Sequence, residues 1–219
     1  TISSKNIQSK DFSWNTDFIF SKAKNEVTEL NARSSVMDLV SGYGFARQGY
    51  PVRGLFSIPF VGLSSNGIPM YNINGKITST VIDIQTRDNI DYLKYEGPTE
   101  PSITGSFGNI FTYKAFKLNV FITYSFGNVV RLNPCFNYQY SDLSSMPREF
   151  KNRWTVPGDE KHTNIPAIIS KRQYEDNKDL MYAYNAYNYS TERIAKGDFI
   201  RMKEISLSYD FPKSWITSA

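Results

Sequence analysis

The stretch Lys117–Phe126, KLNVFITYSF, leaves a folded chain few choices. With Phe116 added, one parity reads Phe116, Leu118, Val120, Ile122, Tyr124, Phe126, and the other reads Lys117, Asn119, Phe121, Thr123, Ser125. Side chains of a strand alternate between faces, so one face is apolar and the other mostly polar. A tilted strand that crosses a bilayer needs about 9–11 residues. Aromatic residues stand at both ends of the apolar face, where the two girdles of an outer-membrane barrel lie. The competing reading of this strand is a half-buried strand of a soluble sandwich.

Composition is compatible with both. Apolar residues make up 40% of the 219, and the mean hydropathy is −0.42. No run approaches the ~18 apolar residues of a membrane helix. Barrel strands alternate and so average out as polar, which leaves the barrel open. Aromatics reach 15%, with 15 Tyr and 15 Phe, a proportion suited to girdles and ligand-facing loops. The single cysteine, Cys135, excludes an internal disulfide and reads as a small buried or loop thiol. The net charge is +4, but the basic residues are scattered in short groups such as Lys22/Lys24 and Lys171/Arg172, so no nucleic-acid partner is expected. The first residues, TISSKNIQSKDF, lack the apolar core of a signal peptide.

Other segments repeat the theme. In residues 11–21, Phe12, Trp14, Thr16, Phe18 and Phe20 share a face, and Asp11, Ser13, Asn15, Asp17 and Ser21 share the other. Residues 42–75 are dense in Gly and Pro, with Asn66-Gly67 and Asn74-Gly75 as turn dipeptides and a strand expected over Val52–Val61. A further strand is expected around Thr78–Gln85. Gly105–Tyr113 leads through a tight turn into the Phe116–Phe126 strand, forming a hairpin. From about 128 to 197 the chain turns polar and tyrosine-rich. It reads as one long loop with a short helix after Pro147, at EFKNRW. The last strand runs from Phe199 to Phe211, with Ile205, Leu207, Tyr209 and Phe211 on one parity. Arg201 and Lys203 extend that parity. On a barrel they would meet lipopolysaccharide phosphates at the outer rim, or else be ordinary solvated charges. Open strands cannot survive in lipid because every backbone group must be paired. A membrane-bound chain of this kind therefore has to be part of a larger closed barrel.

Five segments, taken in order, resemble the SusC/RagA-type TonB-dependent outer-membrane transporters. They are DFSWNTDFIFSKAKNEVTEL (Asp11–Leu30), GLSSNGIPMYNINGK (Gly62–Lys76), GSFGNIFTYKAFKLNVFITYSFG (Gly105–Gly127), RWTVPGDEKHTNIPAI (Arg153–Ile168) and STERIAKGDFIRMKEISLSYDFP (Ser190–Pro212). The resemblance implies an all-β fold, a partial antiparallel transmembrane β-barrel, taken from a plugged barrel of about 22 strands. The whole chain 1–219 would be a late portion of such a barrel, about five to seven strands, with the extracellular loop at about 128–197. The family imports oligosaccharides, and in some cases peptides, using energy from TonB. The partners implied are a SusD-like surface lipoprotein that closes as a lid, TonB through an N-terminal part that this sequence lacks, and outer-membrane lipid. Localisation would be the outer membrane of a Gram-negative bacterium. The plug, the TonB box and the terminal barrel strand are also missing from the sequence, so the fragment alone is not expected to transport. The alternative is a soluble or surface-attached β-sandwich that binds carbohydrate.

Candidate site residues follow from both lines. The lipid-facing set is Phe116, Leu118, Val120, Ile122, Tyr124 and Phe126, joined by Ile205, Leu207, Tyr209 and Phe211. Tyr174, Tyr182, Tyr184, Tyr187 and Tyr189 are the ligand candidates, because a tyrosine ring offers sugar C–H faces a flat apolar surface and its hydroxyl bonds at the edge. Alternatively they pack the loop together. Arg153 and Trp154 read as anchors of the loop fold, and Asn119, Thr123 and Ser125 as lining of the path or of the plug contact. His162 is the only histidine, so neither a Ser-His-Asp triad nor a multi-histidine metal site is available. Asp159, Glu160 and His162 cluster in a Pro-Gly loop and read as a solvated turn. Asp83, Asp88 and Asp91 lack the alternation of a calcium loop. No catalytic residue, enzymatic activity, metal or cofactor is expected.

Overall fold

The computed structural model describes residues 1–42, 46–79, 83–84, 86–134, 136 and 145–212. Cys135, Ser144 and much of the expected Thr78–Gln85 strand lie outside the described residues. In chain order the elements are β1 (Ile2–Gln8), β2 (Phe12–Lys22), α1 (Val36–Ser41), β3 (Gly54–Ser57), β4 (Phe60–Leu63), β5 (Pro69–Ile73), β6 (Lys76–Thr78), β7 (Lys94–Pro98), β8 (Ile103–Tyr113), β9 (Phe116–Phe126), β10 (Val129–Arg131), α2 (Lys171–Asp176), α3 (Leu180–Asn188), β11 (Ile194–Lys196) and β12 (Phe199–Tyr209). They group into two compact units. Residues 1–24, 100–128 and those from Gly197 on form the first; Asn25–Thr99 and Val129–Lys196 form the second.

The first unit is one antiparallel sheet in the order β1-β2-β8-β9-β12. Four of its strands are 11 residues long, the length that alternation suggested. The β1–β2 turn and the two-residue β8–β9 turn lie at one end, since Phe12 pairs with Tyr113 and Tyr113 with Phe116. Both long excursions, from Lys22 to Ile103 and from Phe126 to Phe199, leave from the opposite end.

The apolar parities of neighbouring strands are in register: Trp14, Phe111, Leu118 and Leu207 form one row across the sheet, and Phe18, Phe107, Ile122 and Met202 another. Gly105 marks the place where Tyr124 crosses to the next strand. Its ring lies over the glycine and its hydroxyl donates to Ile19 O at 2.8 Å. A Cβ on Gly105 would collide with that hydroxyl and with Ile19 O. A glycine there lets an aromatic ring cover exposed backbone.

The expectation for Arg201 and Lys203 is corrected by the register of β12. Ile205 pairs with Val120, but Ile200 pairs with Tyr124 and Arg201 with Thr123, because the strand bulges between Met202 and Glu204. The extra residue, Lys203, switches parity. Ile200 and Met202 therefore continue the apolar face, and Arg201 belongs to the polar one, its guanidinium 4.9 Å from the Phe199 ring. Strand β1, which the sequence reading passed over, is bulged in the same way between Lys5 and Ile7.

The second unit is built from two separate stretches around a single core. That core joins Val36, Leu39 and Val40 of α1 to Phe56, Ile58, Tyr71, Phe136, Phe150 and the buried side of α3. Helix α1 is only six residues but closed at both ends. Ser35 and Asp38 form a reciprocal capping box, and Gly42 ends the helix in the left-handed conformation at φ +72°. The expected strand at Val52–Val61 is divided, β3 pairing with β7 and β4 with β5. Asn74 (φ +53°) and Gly75 (φ +84°) close the tight β5–β6 hairpin, as an Asn-Gly pair does. EFKNRW enters a 3₁₀ turn, Arg148–Asn152, after Pro147.

Arg131 of β10 ties the core together. Its guanidinium donates to Val40 O (2.7 Å), Phe56 O (2.6 Å), Ser57 Oγ (3.1 Å) and Ser190 O (3.2 Å). It also stacks against Tyr189. Burial lowers its pKa to about 10 against the opposing pull of Glu96, so it stays charged at neutral pH.

Candidate functional site in the wall and the loop unit

The sheet offers two chemically distinct faces. On one, Phe116, Leu118, Val120, Ile122, Tyr124 and Phe126 stand beside Ile205, Leu207 and Tyr209, with Phe211 just beyond the strand. This face is unshielded within its own unit: Ile200 and Leu207 are each 69% exposed and Ile205 64%. Aromatic pairs gather at both ends. Phe116–Tyr209 (4.7 Å between centroids) and Tyr209–Phe211 (5.2 Å) lie toward the short turns, and Phe18–Tyr124 (6.3 Å) and Tyr124–Phe126 (5.6 Å) toward the long excursions. The other face carries Asp17, Ser106, Lys117, Asn119, Thr123, Ser125, Arg201 and Glu204.

One polar network interrupts the apolar face at mid-height. Asn109 Oδ1 accepts from Trp14 Nε1 (2.9 Å) and Thr16 Oγ1 (2.8 Å), and Thr16 Oγ1 in turn accepts from Asn6 Nδ2 (2.6 Å). The hydrogen bonds let these groups sit on an otherwise apolar surface at low cost. The signal was present in the sequence: Thr16 and Asn109 both occupy apolar parities and face one another.

In the loop unit the five candidate tyrosines separate. Tyr184 and Tyr187 are core side chains, 2% and 3% exposed, and the Tyr184 hydroxyl donates to Ala167 O at 2.7 Å. Neither presents a ring face. Tyr174 and Tyr189 are half-buried against the core. Only Tyr182 is open, at 42%. Asn188, the last residue of α3, is buried, exchanging two hydrogen bonds with the Phe136 backbone.

The Arg153–Ile168 stretch is a self-clasped loop. Asp159 Oδ2 accepts from Thr155 N (2.9 Å), Val156 N (3.0 Å) and Thr155 Oγ1 (2.9 Å). Glu160 Oε2 accepts from Trp154 Nε1 (3.1 Å) and Gly158 N (2.8 Å). The Thr155 backbone bond holds the Asp159 carboxyl below its ordinary value, and the indole bond does the same for Glu160. Their oxygens serve the loop itself, and no group of His, Cys, Asp and Glu among the described residues is arranged for a metal. Trp154 lies flat on Gly67, whose φ is +73° and where an added Cβ would sit 2.5 Å from the indole Cδ2.

A wall of long alternating strands with short turns at one end and all long excursions at the other is the architecture of a section of an outer-membrane barrel. No family model matches the chain. Among curated proteins it is similar to TonB-dependent receptor P3 of Formosa agariphila, 25% identical over 240 residues, covering 99% of this chain and 21% of that protein. TonB-dependent receptor P39 of the same organism is 24% identical over 255 residues, with 96% and 23% covered. Among solved structures, the RagAB peptide transporter matches with TM-score 0.66 at 19% identity, over 97% of this chain and 22% of that one. The RagAB peptide importer in its open-open state matches with TM-score 0.65 at 18% identity, over 98% and 22%. The chain thus spans about a fifth of the length of the curated relatives it matches. Along nearly its whole length it is similar in sequence to a section of these TonB-dependent receptors, and in fold to a section of the RagAB transporter.

Proposed function

We propose that this chain supplies part of the wall and part of the external loops of an outer-membrane nutrient importer in a Gram-negative bacterium, energised through TonB. The observation that carries the reading is the unshielded apolar face of the five-stranded sheet, bordered by aromatic rows at both ends. In a bilayer Phe116, Leu118, Val120, Ile122, Tyr124, Phe126, Ile205, Leu207, Tyr209 and Phe211 face lipid, now with Ile200 and Met202. Asn119, Thr123, Ser125 and Arg201 face the lumen and its plug. The loop unit lies outside the cell, under a SusD-like lipoprotein lid. Cargo is an oligosaccharide or a peptide, the latter being what the structural neighbours are named for. A soluble sandwich would need a second sheet over Leu118, Val120 and Ile122; the likeness to RagAB barrels and the open face at Ile205 and Leu207 support a barrel instead.

The test is extraction of the native product from outer membranes, run on a gel with and without boiling. A heat-modifiable species several times larger than 25.1 kDa is expected. Uptake of labelled cargo that stops when TonB is removed completes the prediction. A 25 kDa species that never enters the membrane fraction overturns it.

A further inference from the structure

Resting on the importer reading, we infer that the cleft beside Arg131 captures a carboxylate joined to an apolar group, the form in which a peptide ends. The cleft encloses about 520 Å³. Its walls are largely apolar, made by Leu55, Val129, Leu132, Pro134 and Tyr189. The polar atoms along it decide which head group can enter, and its hydroxyls are engaged within the protein. The Thr99 hydroxyl donates to Arg53 O (3.2 Å) and the Ser41 hydroxyl to Asp38 O (3.3 Å). Val40 O, at the carbonyl end of α1, accepts from Arg131 Nε.

Donors and positive charge are what the cleft still offers. A guanidinium carries five N–H groups, and Arg131 places four of them: Nε on Val40 O, one from Nη1 on Ser190 O, and two from Nη2 on Phe56 O and Ser57 Oγ. The second Nη1 hydrogen has no acceptor among the described residues. All four acceptors are uncharged. Glu96, the carboxylate whose charge favours Arg131, lies 3.4 Å from Lys94, and the charge of Arg193 works against it. Asn133 adds an exposed amide with no side-chain partner among the described residues, and Arg53 lines the same wall. A largely buried cation that meets only uncharged acceptors favours an anion, and a guanidinium suits a carboxylate. A neutral sugar fits less well, because its ring carries hydroxyls that these apolar walls would leave unpaired. A uronate has the charge but the same hydroxyls. The last residue of a peptide, a free carboxylate beside an apolar side chain, meets both parts of the lining, and capture of a terminal carboxylate is a recurring mode of peptide recognition.

The experiment incubates the full-length transporter in detergent with a mixture of two hexapeptide libraries ending in leucine, one as free acids and one as C-terminal amides. Retained peptides are counted by mass spectrometry. Free acids are expected to be enriched over amides about tenfold or more, the worth of a charge-assisted contact. Arg131 is left in place because it fastens the core. The exposed Arg53→Gln and Asn133→Leu variants each cut the enrichment about threefold or more, with heat-modifiability intact. Excess trigalacturonate does not displace the acids. Equal retention of acids and amides, displacement by trigalacturonate, unchanged enrichment in both variants, or no retained peptide overturns the cleft, while an assembled, TonB-dependent barrel leaves the importer reading standing. Absence of any barrel in the outer membrane is the separate failure of that reading.

Discussion

Single residues in the loop unit act mainly through hydrogen bonds that a sequence only hints at. Asp159 and Glu160 read from the sequence as part of a solvated turn; in the fold each carboxylate gathers the donors of its own loop. Both carboxyls have folded pKa values depressed below their ordinary ones. They therefore favour the folded loop above the unfolded pKa and lose that contribution as pH falls through the folded values. Protection of the Thr155 and Val156 amides, corrected for intrinsic exchange, is expected to be flat from pH 7 to about 5 and to decline below about pH 4. Asp159→Asn should remove most of that decline, as measured by hydrogen exchange in the intact transporter. A decline already complete above pH 5, or one that Asp159→Asn leaves unchanged, would overturn the role of these carboxylates.

At the scale of elements, period-two alternation decides far more than composition. Four of the five sheet strands were legible because 11-residue alternation is a local signal. Strand β1 was not, since ISSKNIQ carries only two large apolar residues and gains its place by pairing with β2. Helix α3 lies inside the stretch read as one long polar loop, yet Leu180, Ala183, Tyr184 and Tyr187 stand at helical spacing i, i+3, i+4, i+7. That spacing explains why Tyr184 and Tyr187 are core. For the wall, Val120→Arg on β9 is expected to cost about 2–4 kcal/mol if it meets lipid at mid-membrane. Ser208→Arg, on the opposite parity of β12, should cost little. Folding titrations of the full transporter into lipid vesicles check the pair, and equal costs would remove the distinction between the two faces.

For the molecule as a whole, the organising fact is that two stretches far apart in sequence share one core, fastened by Arg131. Its four acceptors come from α1, β3 and Ser190, two residues past the end of α3. Arg131→Met keeps the stem and removes the donors, leaving three buried carbonyls without a charged partner. A loss of at least about 2 kcal/mol is expected, seen as faster proteolysis of the loop unit while the barrel keeps its heat-modifiability. If barrel and loop unit fail together, the units are not independent in stability.

By itself the sequence determined that the chain makes long alternating strands with one apolar face, where the tight turns fall, and which transporters it resembles. Those are matters of period two, of Asn-Gly backbone preference and of local wording, all readable within a few residues. Only the tertiary structure decided that Lys203 bulges and returns Arg201 to the polar face, that Tyr184 and Tyr187 are core, and that residues 25–99 join 129–196 around one hydrophobic centre. The reason is physical: a bulge is defined by the partner strand, and burial by atoms brought from elsewhere in the chain. Helical spacing puts Tyr184 and Tyr187 on one face of α3, but what covers that face comes from other parts of the chain.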